Sequence, residues 1–258
     1  MNRLKEIVKY REMVFALVRR DLRGRYKGSV LGFLWTFLNP LFQLLVYTLV
    51  FSTIMRTGIE NYYIFLFVAL IPWLFFNTAL LGGSTCILSN SDMIKKIYFP
   101  REVMPISNVT SGFVNMLLSY LVVFAVLIIS GFGINIHALL YLPVVMIIEY
   151  VFTLGMVFLV AGITVFFRDL TYILNILVMA WQFLTPVMYS YEMIPEELWP
   201  VFDLNPMTAI IEAFRCILYY KSVPSIELLG KSAVIGILFL VVGYWLFGAL
   251  QKRFAEEM

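Results

Sequence analysis

Six long apolar stretches run along the chain with little soluble sequence between them, and this pattern constrains the fold more than any other feature. The stretches cover 30–55, 62–81, 106–129, 139–167, 172–189 and 232–250. A bilayer core about 30 Å thick is crossed by roughly 20 residues of helix, and all six qualify, although the fifth is near the short end. Hydrophobic residues make up 62% of the chain and charged residues 14%. The sequence therefore predicts an all-α integral membrane protein with six transmembrane helices in one domain, 1–258.

The distribution of basic residues predicts the orientation. Most of the 19 lysines and arginines lie before the first span, in the loops after the second and fourth spans, and in the C-terminal tail. Basic residues favour the cytoplasmic side of a membrane, so both termini are expected inside. The net charge of +3 follows from this topology, and we expect no nucleic-acid partner.

Residues 1–29 precede the first span and predict an amphipathic helix in the cytoplasmic interface. Apolar residues such as Ile7, Val14 and Val18 recur at helical spacing, and the other faces are basic. This helix is either a plain membrane anchor or a frame for a cytoplasmic entrance that also contacts a partner. The sequence leaves both interpretations open.

The cytoplasmic loop after the second span contains a short predicted helix, 92–99. Met93, Ile94 and Ile97 lie on one face and Lys95 and Lys96 on another. A helix with apolar and basic faces suits docking into a groove of another protein. The alternative is a helix that rests on lipid headgroups.

The long connection between the fifth and sixth spans is expected on the outside, with a re-entrant hairpin over 192–220. Asn205 followed by Pro206 is typical of the cap and first turn of a helix. That helix, at about 22 Å, is too short to cross. If it crossed, the basic tail would move outside, so we expect it to be buried against protein.

Glu149 is the one acid clearly inside a predicted span. A carboxylate costs about 2.5–3.5 kcal/mol at the bilayer centre on insertion scales, so such groups face protein or water. A structural hydrogen bond and a role in a conduit both account for it. The chain contains no G-x-x-x-x-G-K-[ST] phosphate loop, and it has only one histidine and two separated cysteines. We therefore expect no ATPase site, metal or cofactor within it.

Several runs together suggest a family. RYKGSVLGFLWTFLNPL (25–41) resembles the start of the first span in permease subunits of type-2 ATP-binding-cassette exporters of cell-surface polysaccharides, the group that moves O-antigen, capsule, teichoic acid and rhamnose-rich polymers. KKIYFPREVMP, VFFRDL, TPVMYS and LNPMTAIIEAFR agree in order and spacing over nearly the full length. The resemblance implies a transport subunit of the bacterial cytoplasmic membrane. It also implies a second copy of the chain and two separate ATPase subunits, which hold the ATP and Mg²⁺.

The resemblance also assigns site residues. The short cytoplasmic helix is similar to the coupling helix that contacts the ATPase, with Ile94, Lys95, Lys96, Ile97, Tyr98 and Phe99. The first and fifth spans are similar to those lining the conduit, where aromatic rings would stack on sugars. The candidates are Trp35, Phe37, Phe42, Tyr47, Trp181, Phe183 and Tyr189, and which of them face the conduit stays open.

The substrate implied by the resemblance is a polysaccharide linked to polyprenyl pyrophosphate and loaded from the inner leaflet. A basic cluster at the right height could bind the pyrophosphate. It comprises Arg19, Arg20, Arg23, Arg25 and Lys27. Membrane anchoring alone also explains these cations.

Two other function classes stay open at this point. An ion-coupled carrier would need a buried charge in the membrane, for which Glu149 is the candidate. A membrane-embedded transferase acting on a lipid-linked sugar would need clustered acids, for which Glu196, Glu197 and Asp203 are the candidates.

Overall fold

The computed structural model describes residues 2–24 and 28–257, and all regular elements within these ranges are helices. Five of them are long and apolar enough to cross a membrane: Gly32–Ile54, Tyr62–Thr85, Val103–Ile129, Ile136–Phe166 and Ile226–Arg253. A sixth apolar helix, Leu170–Phe183, is shorter. The chain is therefore an all-helical, multi-pass membrane protein by composition and helix length.

The helices follow one another in a simple order. The N-terminal part holds α1 (Asn2–Lys9), α2 (Arg11–Gly24), and α3 (Trp35–Thr48), which a 3₁₀ turn at Gly32–Leu34 precedes and a π-helix at Leu49–Ile54 continues. The middle part holds α4 (Tyr62–Thr85), α5 (Ser91–Lys96), α6 (Val103–Ile129), α7 (Ile136–Leu139) and α8 (Leu142–Phe166). The last part holds α9 (Leu170–Phe183), α10 (Trp199–Leu204), α11 (Pro206–Leu218), α12 (Ile226–Leu250) and α13 (Phe254–Glu257). We call the end of the bundle that carries α5 the inner end, and the end that carries α11 the outer end.

Helix α4 is the centre of the bundle. Apolar residues predominate on every side of it, which is typical of a helix enclosed by other helices. It contacts α3, α6, α8, α9 and α11, and Leu66, Val68 and Leu70 are fully buried. Helix α6 runs antiparallel to it, because Gly82 of α4 faces Asn108 while Phe75 faces Gly112.

Helices α8 and α12 approach each other so closely that glycine is required at the contact. A Cβ atom added to Gly155 would lie 2.4 Å from the Leu240 nitrogen, and one added to Gly243 would lie 2.2 Å from the Gly155 carbonyl oxygen. Small residues at such contacts allow close backbone packing in membranes. Ile148 lies beside Gly236, and Gly162 beside Leu250, so the two helices run in the same direction.

The parallel arrangement of α8 and α12 requires the chain between them to return from the inner to the outer end. Helix α9 makes the first part of this return, with Trp181 against Phe76 at a ring distance of 5.1 Å. Residue Met188 reaches the start of α4, where the Tyr62 hydroxyl donates to its carbonyl at 2.7 Å. Residues 184–190, between the end of α9 and the outer turns, complete the return.

The predicted fifth span, 172–189, differs from the structure. Helix α9 ends at Phe183, and its 14 residues extend only about 21 Å. Pro186 explains the early end, because proline lacks the N–H of a helical residue, clashes with the carbonyl four residues earlier, and disfavours helix in the preceding residue. The structure thus has five long helices where the sequence predicts six spans.

The amphipathic helix predicted over 1–29 is divided into α1 and α2, with the break at Tyr10. The Tyr10 hydroxyl donates to the Tyr98 carbonyl at 3.4 Å, so the junction between α1 and α2 contacts the loop after α5. Leu17 and Val18 of α2 are buried, and α2 packs along α6.

The short helix predicted at 92–99 is also shorter in the structure. Helix α5 ends at Lys96, and Ile97 is extended. Phe99 precedes Pro100, a position that disfavours helix, and its side chain turns into the core with 5% exposure.

At the outer end, α11 begins at Pro206, and the Asn205 side chain accepts a hydrogen bond from the Met207 N–H at 3.0 Å. Helix α11 lies against α4 and α12, and most of its side chains are buried. Two 3₁₀ turns, Tyr191–Met193 and Glu196–Leu198, and α10 precede it.

Candidate functional site

The buried apolar residues form two clusters, a main core around α4 and a smaller cluster at the inner end. The smaller cluster brings the ends of several helices into contact. Its buried members include Leu17 of α2, Phe99 after α5, Phe158 of α8 and Phe247 of α12. Phe254 of α13 stacks edge-on against Phe247 at 5.5 Å. The loop that carries α5 is therefore packed against the ends of the long helices.

The predicted coupling residues divide between surface and core. Ile97 and Tyr98 are 57% and 81% exposed, and Lys95 and Lys96 are also exposed, whereas Ile94 is half-buried. Phe99 belongs to the buried cluster, so it cannot contact a partner directly. The exposed part of the segment is a mixed apolar and basic surface.

Hydrogen bonds connect the α5 loop to both ends of the chain. The Arg20 guanidinium donates to Asn90 Oδ1 at 2.8 Å, which ties α2 to the start of α5. The Gln251 amide donates to Glu102 Oε1 at 2.7 Å in a buried contact, and Arg101 donates to the Gln251 carbonyl. No local sequence pattern predicts the contacts of Gln251 with Glu102 and Arg101, because Gln251 lies far from both along the chain.

The predicted basic cluster does not form one site in the described residues. Arg19 and Arg23 border an open groove of about 950 Å³ with an apolar floor that includes Phe15 and Phe33. Arg20 points instead to Asn90. Arg25 and Lys27 lie outside the described residues.

The seven aromatic candidates occupy three kinds of environment. Phe42 and Phe183 are exposed, at 56% and 59%. Phe37 packs edge-on against Phe33 at 5.3 Å, Trp35 donates to Ser29 Oγ at 3.0 Å, and Tyr47 packs against the main core.

The two remaining aromatic candidates are engaged at the outer part of α9. Trp181 donates from its indole nitrogen to Asn205 Oδ1 at 2.8 Å. Tyr189 donates from its hydroxyl to the Phe183 carbonyl at 2.5 Å. These hydrogen bonds therefore stabilise the part of the chain that returns to the outer end, in addition to any contact that the two rings make with sugars.

Glu149 is fully buried in α8. Neither carboxyl oxygen has a hydrogen-bond partner among the described residues, and the hydroxyls of Thr153 and Tyr120 are in the same condition. The hydrogen bond proposed from sequence is therefore not made by the described residues, and the group has no exposed surface through which to contact a conduit directly.

The non-helical segment 184–190 is held by side chains from other elements. Arg215 of α11 donates from Nη2 to the Val187 carbonyl at 2.8 Å and pairs with Glu212 at 2.7 Å. Its guanidinium carbon lies 3.7 Å from the centre of the Phe65 ring. Asn205 donates to the Leu184 carbonyl at 2.9 Å. Backbone carbonyls that a helix would satisfy are thus bound by side chains, although only the Glu212–Arg215 spacing was visible in the sequence.

The three acids considered for a transferase are not assembled into one site. Glu196 and Glu197 lie exposed in a 3₁₀ turn, whereas Asp203 lines a separate cavity and accepts a 2.8 Å hydrogen bond from Tyr191. Burial and the neighbouring Asp203 carboxylate raise the pKa of Tyr191 to about 12, so its hydroxyl remains a donor at neutral pH. No group of three potential metal ligands occurs in the described part of the chain.

Sequence similarity to known proteins shows the family of the chain. The sequence profile of the ABC-2 type transporter family matches residues 12–219, from α2 to the end of α11. This chain belongs to the ABC-2 type transporter family. The resemblance found in the sequence motifs is thereby confirmed.

Similar proteins extend the match beyond that domain. The chain is 37% identical to an O-antigen export system permease protein of Myxococcus xanthus over 257 residues, which cover 99% of this chain and 98% of the relative. It is 32% identical to a protein of the same name from Klebsiella pneumoniae over 245 residues, covering 95% and 94%. It is 27% identical to a polysialic acid transport protein of Escherichia coli over 210 residues, covering 78% and 79%.

Proposed function

We propose that this chain is the membrane permease of an ATP-driven exporter that moves a cell-surface polysaccharide out of a bacterial cytoplasm. The observation that carries the proposal is the nearly full-length similarity to O-antigen export permeases. The weaker similarity to a polysialic acid transport protein supports a polysaccharide as the substrate class and does not select one polymer.

We place the permease in the bacterial cytoplasmic membrane with six crossings and both termini inside. The return path from α8 to α12 supports this topology, because α9 and residues 184–190 follow α4 along its length. The basic helices α1 and α2 would lie in the inner interface. Helices α10 and α11 would form a re-entrant hairpin at the outer end, where packing of α11 against protein keeps the non-helical ends of the hairpin away from lipid.

Separate subunits would supply the ATPase activity. The exposed surface of the α5 loop, with Ile97 and Tyr98 at its centre, would dock into a groove of an ATPase that holds ATP and Mg²⁺. Two copies of this chain and two such ATPases would make the complete exporter. The tight packing of Phe99 beneath the loop supports this role, because a displacement of α5 would reach the long helices.

The substrate would be loaded as a polyprenyl-pyrophosphate-linked glycan. Arg19 and Arg23 border a groove with an apolar floor, a combination that suits a phosphate group next to a lipid chain. Exposed rings on α3 and α9, including Phe42 and Phe183, would then contact sugars in a conduit between two copies of the chain. Anchoring of α2 to lipid headgroups is the competing role for the arginines.

The docking role predicts that Ile97→Asp combined with Tyr98→Asp abolishes co-purification with the partner ATPase. Two carboxylates on an apolar contact would each have to be desolvated without a partner. Ile136→Asp is the matched control, because Ile136 is equally an exposed isoleucine but lies at the outer end. Normal assembly of the double variant would remove the docking proposal.

Reconstitution in lipid nanodiscs tests the function as a whole. The chain and its ATPase should form a stable complex whose ATP hydrolysis changes when lipid-linked oligosaccharide is added. A chain that purifies alone, leaves ATP hydrolysis unchanged, and moves solute with an ion gradient in a Glu149-dependent way would instead be an ion-coupled carrier.

A further inference from the structure

Two polar cavities line up along α4 and α6 in the inner half of the bundle. The first, of about 380 Å³, lies between α2, α4 and α6, and its lining includes Arg20, Asp21 and Asn108. The second, of about 360 Å³, lies between α3, α4 and α6, and its lining includes Asn39, Gln43 and Asn115. Thr78 of α4 lines both cavities, so they adjoin each other at this residue, and we refer to the two cavities together as the path.

Helix α6 contributes one face to this path. Asn108, Gly112, Asn115 and Ser119 follow one another at intervals of three or four residues, which places them in a row on an α-helix. All four line the two cavities. We call the set of polar side chains along this path the amide track: Thr36, Asn39, Gln43, Thr78, Asn108, Asn115 and Ser119.

Two residues of the amide track, Thr36 and Asn108, have a buried polar atom without a hydrogen-bond partner among the described residues. Thr36 is only 3% exposed, and its hydroxyl makes no hydrogen bond with the described residues. The side-chain oxygen of Asn108 is likewise buried without a partner in the described part of the chain. Buried polar groups of this kind are normally satisfied by water or ligand, and inside a membrane protein they face protein or a wet cavity rather than lipid.

The lining of the second cavity suits a neutral, hydroxyl-rich ligand. It combines amides and hydroxyls with the Trp35 ring and with apolar side chains such as Ile71 and Leu74, and among the described residues it includes no acidic or basic one. Amides supply donors and acceptors side by side, which matches sugar hydroxyl groups. The first cavity contains one guanidinium and one carboxylate, which already bond to Asn90 and Ser111.

We propose that the amide track binds sugar residues of the exported glycan and is reached from the inner end. This inference rests on the proposed function, and it adds a binding path inside each copy of the chain, lined by α6. The aromatic residues of α3 and α9 are then not the whole of the sugar-contacting surface.

Cysteine labelling tests the amide track in the intact exporter. In a Cys86→Ala and Cys216→Ala background, Asn115→Cys and Ser119→Cys are introduced separately. Inside-out membrane vesicles containing the ATPase are treated with the charged reagent 2-sulfonatoethyl methanethiosulfonate. Vesicles from cells that make the native lipid-linked glycan are compared with vesicles from cells blocked in the first glycosyl transfer. Thr110→Cys is the matched control, because Thr110 lies on α6 but bonds to Tyr150 at 2.9 Å.

The expected result is fast labelling at positions 115 and 119 without glycan and slow labelling at 110. Glycan at about ten times its Kd should slow labelling at 115 and 119 about tenfold. Labelling at 115 and 119 that is as slow as at 110 would show a dry path and overturn the proposal. Fast labelling that glycan does not change would show a hydrated cavity that the glycan does not enter, and would overturn it as well.

Export measured in parallel separates this inference from the proposed function. Asn115→Leu should lower glycan export while the ATPase still co-purifies, and Thr110→Val should leave export near the parental level. Equal export by both variants would overturn the amide track as a sugar site. Absence of export by the parental exporter itself would overturn the proposed function, whatever the labelling pattern.

Discussion

Arg215 carries a positive charge into the buried outer part of the bundle. Its guanidinium is fully buried, pairs with Glu212, binds the Val187 carbonyl and lies over the Phe65 ring. One charge therefore holds together α11, α4 and the non-helical segment 184–190. A buried ion pair contributes little net stability, but removing one partner leaves the other charge uncompensated.

Replacing Arg215 should consequently cost far more than replacing an exposed cation. Arg215→Met is expected to destabilise the protein by about 3–5 kcal/mol, seen as a lower temperature of thermal unfolding in detergent. Lys252→Met is the control, because Lys252 is exposed at the inner end. Equal unfolding temperatures for the two variants would show that the Arg215 contacts do not stabilise the outer end.

At the residue scale, the sequence predicts side-chain chemistry better than side-chain partners. The Glu212–Arg215 pair is visible because its members are three residues apart on one helix. The bond between Gln251 and Glu102 is invisible, because it depends on how α12 ends beside the start of α6. Phe99 belongs to a run with an amphipathic pattern, and only its packing in the apolar cluster of the inner end shows that it is buried.

At the scale of elements, α8 and α12 form the most closely packed helix pair of the bundle. Gly155 and Gly243 remove the side chains that would otherwise hold the backbones apart. In a membrane, where burial of apolar surface gives little driving force between helices, such close contact is a main source of association energy.

Adding one methyl group to this contact should separate the helices. Gly155→Ala places a Cβ atom 2.4 Å from the Leu240 backbone nitrogen, and we expect a loss of about 1–3 kcal/mol in stability from overpacking. Gly236→Ala is the matched control on the same helix pair, because its Cβ atom would lie at an ordinary 3.5 Å from the Ile148 carbonyl oxygen. Thermal unfolding in detergent measures both. A stable Gly155→Ala variant would contradict the tight contact.

Apolar length predicts the long helices well, because a helix that crosses a membrane must satisfy its own backbone. It fails for α9, where the apolar run continues beyond the helix. Pro186 is visible in the sequence, but the non-helical residues around it are stable only because Tyr62, Asn205 and Arg215 bind their carbonyls. Those partners belong to α4 and to α11 with its cap, and no local sequence pattern predicts them.

At the scale of the whole molecule, the number of crossings decides on which side the C-terminus lies. Five crossings would put the two termini on opposite sides, and six would put both inside. The return of the chain along α4 favours six, although α9 alone is too short to cross.

Reporter fusions measure this directly. A green fluorescent protein fused to either terminus is expected to fluoresce in the cytoplasm, and alkaline phosphatase fused to either terminus is expected to be inactive there. A fusion after Ser222, between α11 and α12, should show the opposite pattern and serves as the internal control. Active phosphatase at the C-terminus would establish an odd number of crossings.

The hydrogen bonds from side chains to residues 184–190 also determine how often this segment opens. Releasing this stretch requires the loss of the hydrogen bonds that Tyr62, Asn205 and Arg215 donate to its carbonyls, and each contributes on the order of 0.5–1.5 kcal/mol net, or more where Arg215 is the donor. A cost of a few kcal/mol corresponds to a minor state populated at roughly 0.1–10%, and loop-scale openings of this kind occur within microseconds to milliseconds. The segment 184–190 beside α4 is thus expected to open transiently at the outer end without unfolding of the helices.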